Sequence, residues 1–299
     1  MNRWMLRAMA AVAMIAASGC LKVKQLVVVN PDGSGSIVVS TVFPPETVAM
    51  MSQMGALQNL GGDQAGGTPA PQVDLFYNED QLRDAAAQFG EGVTLQKSEK
   101  IDRDGTRGAI AVYAFRDISR VKMNTRQNMQ MGEAMNAAKT GADTSAGDFI
   151  RFAFTKGDTS RLTILMPQLK SSGADHPSAS LNKQGSDGPS APQLPPELAA
   201  LGLGGLGGGG AAAMQMFKGM ELSFAVQVKG RVVKNNASHQ DGDRFVLLGM
   251  NMDELMKSPA FQKIANMDVG GDQTEMMKRI YSLPGANLET NREVVIEFK

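Results

Sequence analysis

Cysteine is almost missing from this chain: there is one in 299 residues, Cys20. A single thiol forms no intrachain disulfide, so nothing here is stapled. Histidine is nearly as scarce, with only His176 and His239. That leaves little material for a His-based metal cage or proton shuttle. Aromatic residues make up 5% of the chain. A transmembrane β-barrel needs aromatic girdles, and a carbohydrate platform needs rings to stack on, so both classes are disfavoured. Charge of either sign is not in excess: 30 basic residues meet 30 acidic ones. The basic footprint of a nucleic-acid-binding protein is therefore absent. HExxH, GxSxG and GK[ST] do not occur, and the glycine run at 202–210 is not a phosphate loop. No spacing of Ser, Asp or Glu marks a nucleophile or an acid–base pair. The expectation is no catalytic residues, no cofactor and no metal site.

What is there begins at the amino terminus. Arg3 and Arg7 precede an apolar stretch from Ala8 to Ala17, and Ser18 and Gly19 are small. This is the anatomy of an export signal. The stretch is too short to span the hydrocarbon core as a helix, which takes roughly 20 residues. Ala17-Ser18-Gly19-Cys20 resembles the lipobox of bacterial lipoproteins. The resemblance implies cleavage after residue 19 and acyl chains, palmitate among them, on Cys20. One acyl chain anchors a protein only marginally, whereas two or three on one residue hold it stably. That use explains a solitary thiol at the end of an apolar run. Residue 21 is Leu rather than Asp, which under enterobacterial sorting favours the outer membrane over the inner one.

The rest of the chain reads as hairpins with a few helices. Turns are expected at Asp32-Gly33, Asp104-Gly105, Lys156-Gly157-Asp158 and Asp241-Gly242, each between β-branched or alternating stretches. The Asp32 turn lacks the further acidic ligands of a calcium loop. Pro45 suits the first turn of a helix, and Asn78 and Asn251 are placed as N-caps. Leu82, Ala85, Ala86 and Phe89 give the second helix an apolar face. Residues 124–147 are Met-rich and are expected to start as helix. A strand over TNREVVIEFK ends the chain. Residues 170–213 hold mostly Ser, Gly, Pro and Ala, which offer too little apolar surface to offset ordering entropy. The expected architecture is an α+β fold: one antiparallel sheet of roughly eight strands with a few helices on one face. Its segments would be a signal at 1–19, the first part of the domain at 20–169, a disordered insertion at 170–213 and the remainder at 214–299. IVVSTVFPPETVAMM and RFVLLGMNMDELMKS share an order of hairpin then helix, a likeness too short to count as a repeat.

Gly230-Arg231-Val232-Val233-Lys234-Asn235-Asn236-Ala237, with Asp241-Gly242 behind, is similar to a hairpin of the LppM-like domain of bacterial lipoproteins. Lys229 stands where that pattern has Pro, and Phe245 where it has Trp. The resemblance covers roughly 20–120 and 220–299. It implies an α+β fold, a location in the cell envelope and no established catalytic site.

Methionine is the one surplus, at 21 residues. It gathers at Met50, Met51 and Met54; at Met129, Met131 and Met135; at Met214, Met216 and Met220; and at Met250, Met252 and Met256. Thioether clusters suit Cu(I). Methionine also fills core gaps and adaptable binding surfaces, and that is the preferred reading here. The functional expectation is a noncatalytic, membrane-anchored envelope lipoprotein that binds a second envelope component or has a structural role in organising the surface. A small-ligand or copper carrier and an unrecognised hydrolase are the alternatives.

Overall fold

The computed structural model describes residues 21–60, 74, 76–124, 149–167, 219–261, 279 and 282–299. The chain forms β1 (Lys22–Val29), β2 (Gly35–Phe43), α1 (Pro45–Leu60), α2 (Glu79–Ala85), β3 (Thr94–Arg103), β4 (Thr106–Phe115), β5 (Lys122–Asn124), β6 (Phe149–Thr155) and β7 (Ser160–Leu165). It continues through β8 (Glu221–Val228), β9 (Val232–Asn235), β10 (Gln240–Asp241), β11 (Arg244–Asn251), α3 (Met252–Lys257), β12 (Ala286–Leu288) and β13 (Glu293–Phe298). This is the expected α+β class.

The strands form two sheets. The larger has eight strands in the order β10-β11-β8-β1-β2-β4-β3, with β12 on β11. The smaller has five, in the order β5-β6-β7-β13-β9. A single sheet with helices on one face is the sequence expectation that changes. The second sheet takes the place of those helices, because its strands also bury every other residue. In β7 the buried residues are Ser160, Leu162 and Ile164, and in β13 they are Val294, Ile296 and Phe298. These meet Val27, Val29, Ile37, Tyr113, Val226 and Phe245 of the larger sheet in one continuous core. Two half-buried faces thus satisfy each other, as in a sandwich.

Turn chemistry sets the hairpins. Asp104 (φ 52°) and Gly105 (φ 74°) both sit in the left-handed region between β3 and β4, as a two-residue turn of this hand requires. At the β1–β2 turn, Asn30 N–H donates to Ser34 O at 2.8 Å. That turn docks on the smaller sheet, where Ser160 Oγ donates to Pro31 O at 2.8 Å. The helices are capped as expected. Asn78 Oδ1 accepts from Gln81 N–H at 3.1 Å, and Asn251 Oδ1 from Glu254 N–H at 3.2 Å.

One pairing is parallel: Lys22–Val29 of β1 lies beside Glu221–Val228 of β8. Their other neighbours, β2 and β11, are antiparallel to them. β2 and β11 therefore end at the same edge of the sheet, and each is followed by a helix, α1 or α3. The structure thus holds two strand–helix units facing the same end, β2 with α1 and β11 with α3. That end is also where β1 begins, at Lys22. The sequence also suggests one hairpin from β8 to β11. The chain instead leaves the larger sheet at Gly230, pairs as β9 with β13, and returns as β10. Gly230 has φ 154°, and a Cβ there would lie 2.2 Å from Lys299 O, so a side chain does not fit this crossing.

Candidate functional site

The candidate residues named from the sequence divide into two groups. Cys20, the signal at 1–19, the 170–213 segment, His176, Met129, Met131, Met135, Met214 and Met216 lie outside the described residues, as does all but Asn124 of the 124–147 helix. The others can be placed. His239 is half-buried, and its carbonyl accepts from Val246 N–H at 3.0 Å. Asp241 is exposed on β10. Among the described residues, no three of His, Cys, Asp and Glu are grouped to hold a metal ion. No described helix is long and apolar enough to cross a membrane.

The Gly230–Gly242 motif does structural work. Asn236 Oδ1 accepts from Val295 N–H at 2.7 Å, and Asn236 Nδ2 donates to Glu293 O at 3.0 Å. The side chain thereby imitates one more residue of β9 against β13. Asn235 Oδ1 accepts from Ala237 N–H at 3.1 Å and Asn235 Nδ2 donates to Gln240 Oε1 at 2.8 Å, which turns the chain back. Ser238 gives both its N–H and its hydroxyl to Glu289, each at 2.7 Å. Glu289 is 4% exposed, and it also accepts from Asn291 N–H at 2.9 Å. Burial raises its carboxyl pKa, but the bonds from Asn291 and Ser238 outweigh burial and hold it below the usual glutamate range. Glu289 thus ties together two of the crossings between the sheets, one at Ser238 and one after β12. Sequence reasoning missed it, because a lone glutamate in a loop carries no spacing signal.

Other titratable groups are similarly occupied. Asp32 is held below the usual carboxylate range first by the Ser34 hydroxyl at 2.7 Å and then by its N–H. Asp74 is lowered chiefly by Lys100 at 2.7 Å. Burial pushes Tyr113 up to about 12, so its phenol stays a donor to Leu82 O at 3.0 Å.

A cleft of about 640 Å³ opens at the end of the sheet away from Lys22. Arg83, Arg120, Lys122 and Glu91 line it, with Ala86, Ala87 and the Gly90–Val93 backbone. Its cations are largely committed. Arg83 pairs with Glu79 at 2.9 Å, Arg120 with Glu91 at 3.4 Å, and Lys122 lies 5.2 Å from the Phe149 ring centre. Glu91 is the one carboxylate in the lining, and no Ser, Thr or His stands beside it. The lining as described offers cations and one carboxylate to a polar group.

The opposite end holds a second, smaller apolar cluster beside the charged Lys22, Lys24 and Glu221. Leu21 O accepts from Glu221 N–H at 2.8 Å, directly beside Met220. Met252 N–H donates to Met220 O at 2.9 Å. Met252, Leu255 and Ala286 are buried here, and Met220, Met250, Met256, Phe261 and Leu283 pack around them only partly buried. Met220 therefore meets the Met250, Met252 and Met256 group, separate from the main core.

No family model and no curated protein matches this chain. Among solved structures it is similar to the folded domain of the LppM protein of Mycobacterium tuberculosis, determined by NMR. The identity is 12%, the TM-score is 0.26, and the match covers 80% of this chain and 87% of that one.

Proposed function

We propose that this protein is a lipoprotein of the bacterial cell envelope, acylated on Cys20, that acts by noncatalytic binding while tethered. The observation that carries the reading is the solitary thiol of Cys20 closing an apolar signal-like run. β1 supports it by starting at Lys22, so the folded body begins two residues past the anchor. Tethering raises the effective concentration of a weak binder near membrane partners without any new contact. The partner on this reading is a second envelope component, and Leu21 favours the outer membrane. The occupied carboxylates and hydroxyls described above suit a binding module better than a hydrolase.

The test is metabolic labelling with a fatty-acid analogue. Wild type should be labelled and Cys20→Ala should not, and the variant should leave the membrane fraction. Equal labelling of both forms would defeat the assignment.

A further inference from the structure

We propose that the methionine-rich patch around α3 seats the domain on the bilayer, and that the partner of this surface is lipid. The proposal rests on the lipoprotein reading above. If Cys20 carries the acyl chains, Leu21 is at the membrane surface, since neighbouring Cα atoms are only about 3.8 Å apart. Leu21 bonds to Glu221 at the start of β8, and β11, the next strand, ends at the same level. Two strand spacings are about 10 Å. Met250 and Met252 therefore lie about that far, sideways, from the residue beside the anchor, and Met220 about half as far.

The composition of the patch fits this partner. Met220, Met250, Met256, Phe261 and Leu283 are only partly buried. Methionine is unbranched and polarizable, and it adapts to a surface with no fixed shape, as lipid is. Charge offers little alternative attraction. Glu221 is shared by Lys24 at 2.8 Å and Lys22 at 3.9 Å, and α3 carries Asp253 and Glu254 in its first turn and Lys257 in its last, so the charges of these residues balance. The contact should therefore be apolar and should survive high salt, which screens attraction to anionic headgroups. The cleft at Arg120 is then displaced along β1, whose eight residues rise about 3.3 Å each, and it faces away from the anchoring membrane.

Tryptophan quenching tests this directly. Trp4 is the chain's sole tryptophan and lies in the signal, so one placed in the mature domain reports alone. Mature protein would be purified with its acyl chains and reconstituted in phosphatidylethanolamine–phosphatidylglycerol vesicles carrying brominated acyl chains. Met256→Trp and the exposed Ala260→Trp should be quenched roughly twofold or more beyond Asp158→Trp, as expected for a face sunk about 5–10 Å into the headgroup boundary. Asp158 sits in the β6–β7 turn at the far end. If Met256→Trp disturbs folding, the thermal melt will show it and Ala260→Trp carries the readout. Equal quenching at the two ends, in protein whose mass includes acyl chains on Cys20, overturns the seating and leaves the lipoprotein reading intact. So does a difference that high salt abolishes. A mass without acyl chains overturns both.

Discussion

The core between the sheets and the methionine patch beside the anchor are both apolar, yet they are built differently. Between the sheets stand Ile37, Ile164, Ile296, Phe245 and Phe298, all with essentially no exposure. These residues have few rotamers and fill space in one way, which fixes how the sheets dock. At the patch, Met252 and Leu255 are buried, but Met220, Met250, Met256 and Phe261 remain partly open. Flexible thioethers specify packing poorly and tolerate a changing neighbour. Stiff apolar residues thus dominate where the protein meets itself, with Met123 a buried methionine among them. Flexible ones mark, on our reading, where it meets something else.

That contrast can be broken in three places. Phe298→Ala should have the largest effect. It removes a fully buried ring from the last strand, and large-to-small aromatic changes in a core cost about 3–5 kcal/mol. Urea unfolding would measure it, and a loss under about 1 kcal/mol would mean the sheets dock loosely.

Glu289→Ala comes next. It removes the buried carboxylate that accepts from Ser238 and Asn291, and hydrogen bonds to a charged group contribute about 1.5–3 kcal/mol. The pH dependence should follow. The folded pKa of Glu289 is lowered, so its contribution is fully present above the unfolded value of about 4.3 and fades as pH falls through the folded value. Melting curves from neutral to acid pH should therefore converge between wild type and Glu289→Gln. Parallel curves would show that the carboxylate charge contributes nothing.

Met256→Leu should have the smallest effect on stability, within about 1.5 kcal/mol, because volume is nearly kept and the site is partly open. A larger loss in the melt would place Met256 with the stiff core and erase the contrast.

Much of the local structure was legible along the chain. The Asp104-Gly105 turn needed two residues tolerant of positive φ, and the sequence has them there. Asn78 and Asn251 stand where short acceptors can reach the first free N–H groups of a helix, and both do. The period-2 pattern of EVVIEF announced a half-buried strand. These signals are readable because the interactions behind them span four residues or fewer.

Of the site, the sequence by itself determined the lone thiol at the end of an apolar run and the surplus of methionine. It also determined the pattern Gly230–Gly242, though not its role, since Asn236 acts on Val295 from 59 residues away. Only the tertiary structure decided that there are two sheets, that β8 lies parallel to β1 beside the anchor, and that Met220 joins Met252 at that edge. It alone brought Ser238 to Glu289. Alternation shows that a strand hides one face but not what hides it. Pairing between strands nearly 200 residues apart leaves no local pattern, because its energy comes from main-chain bonds and buried area that almost any apolar strand could supply.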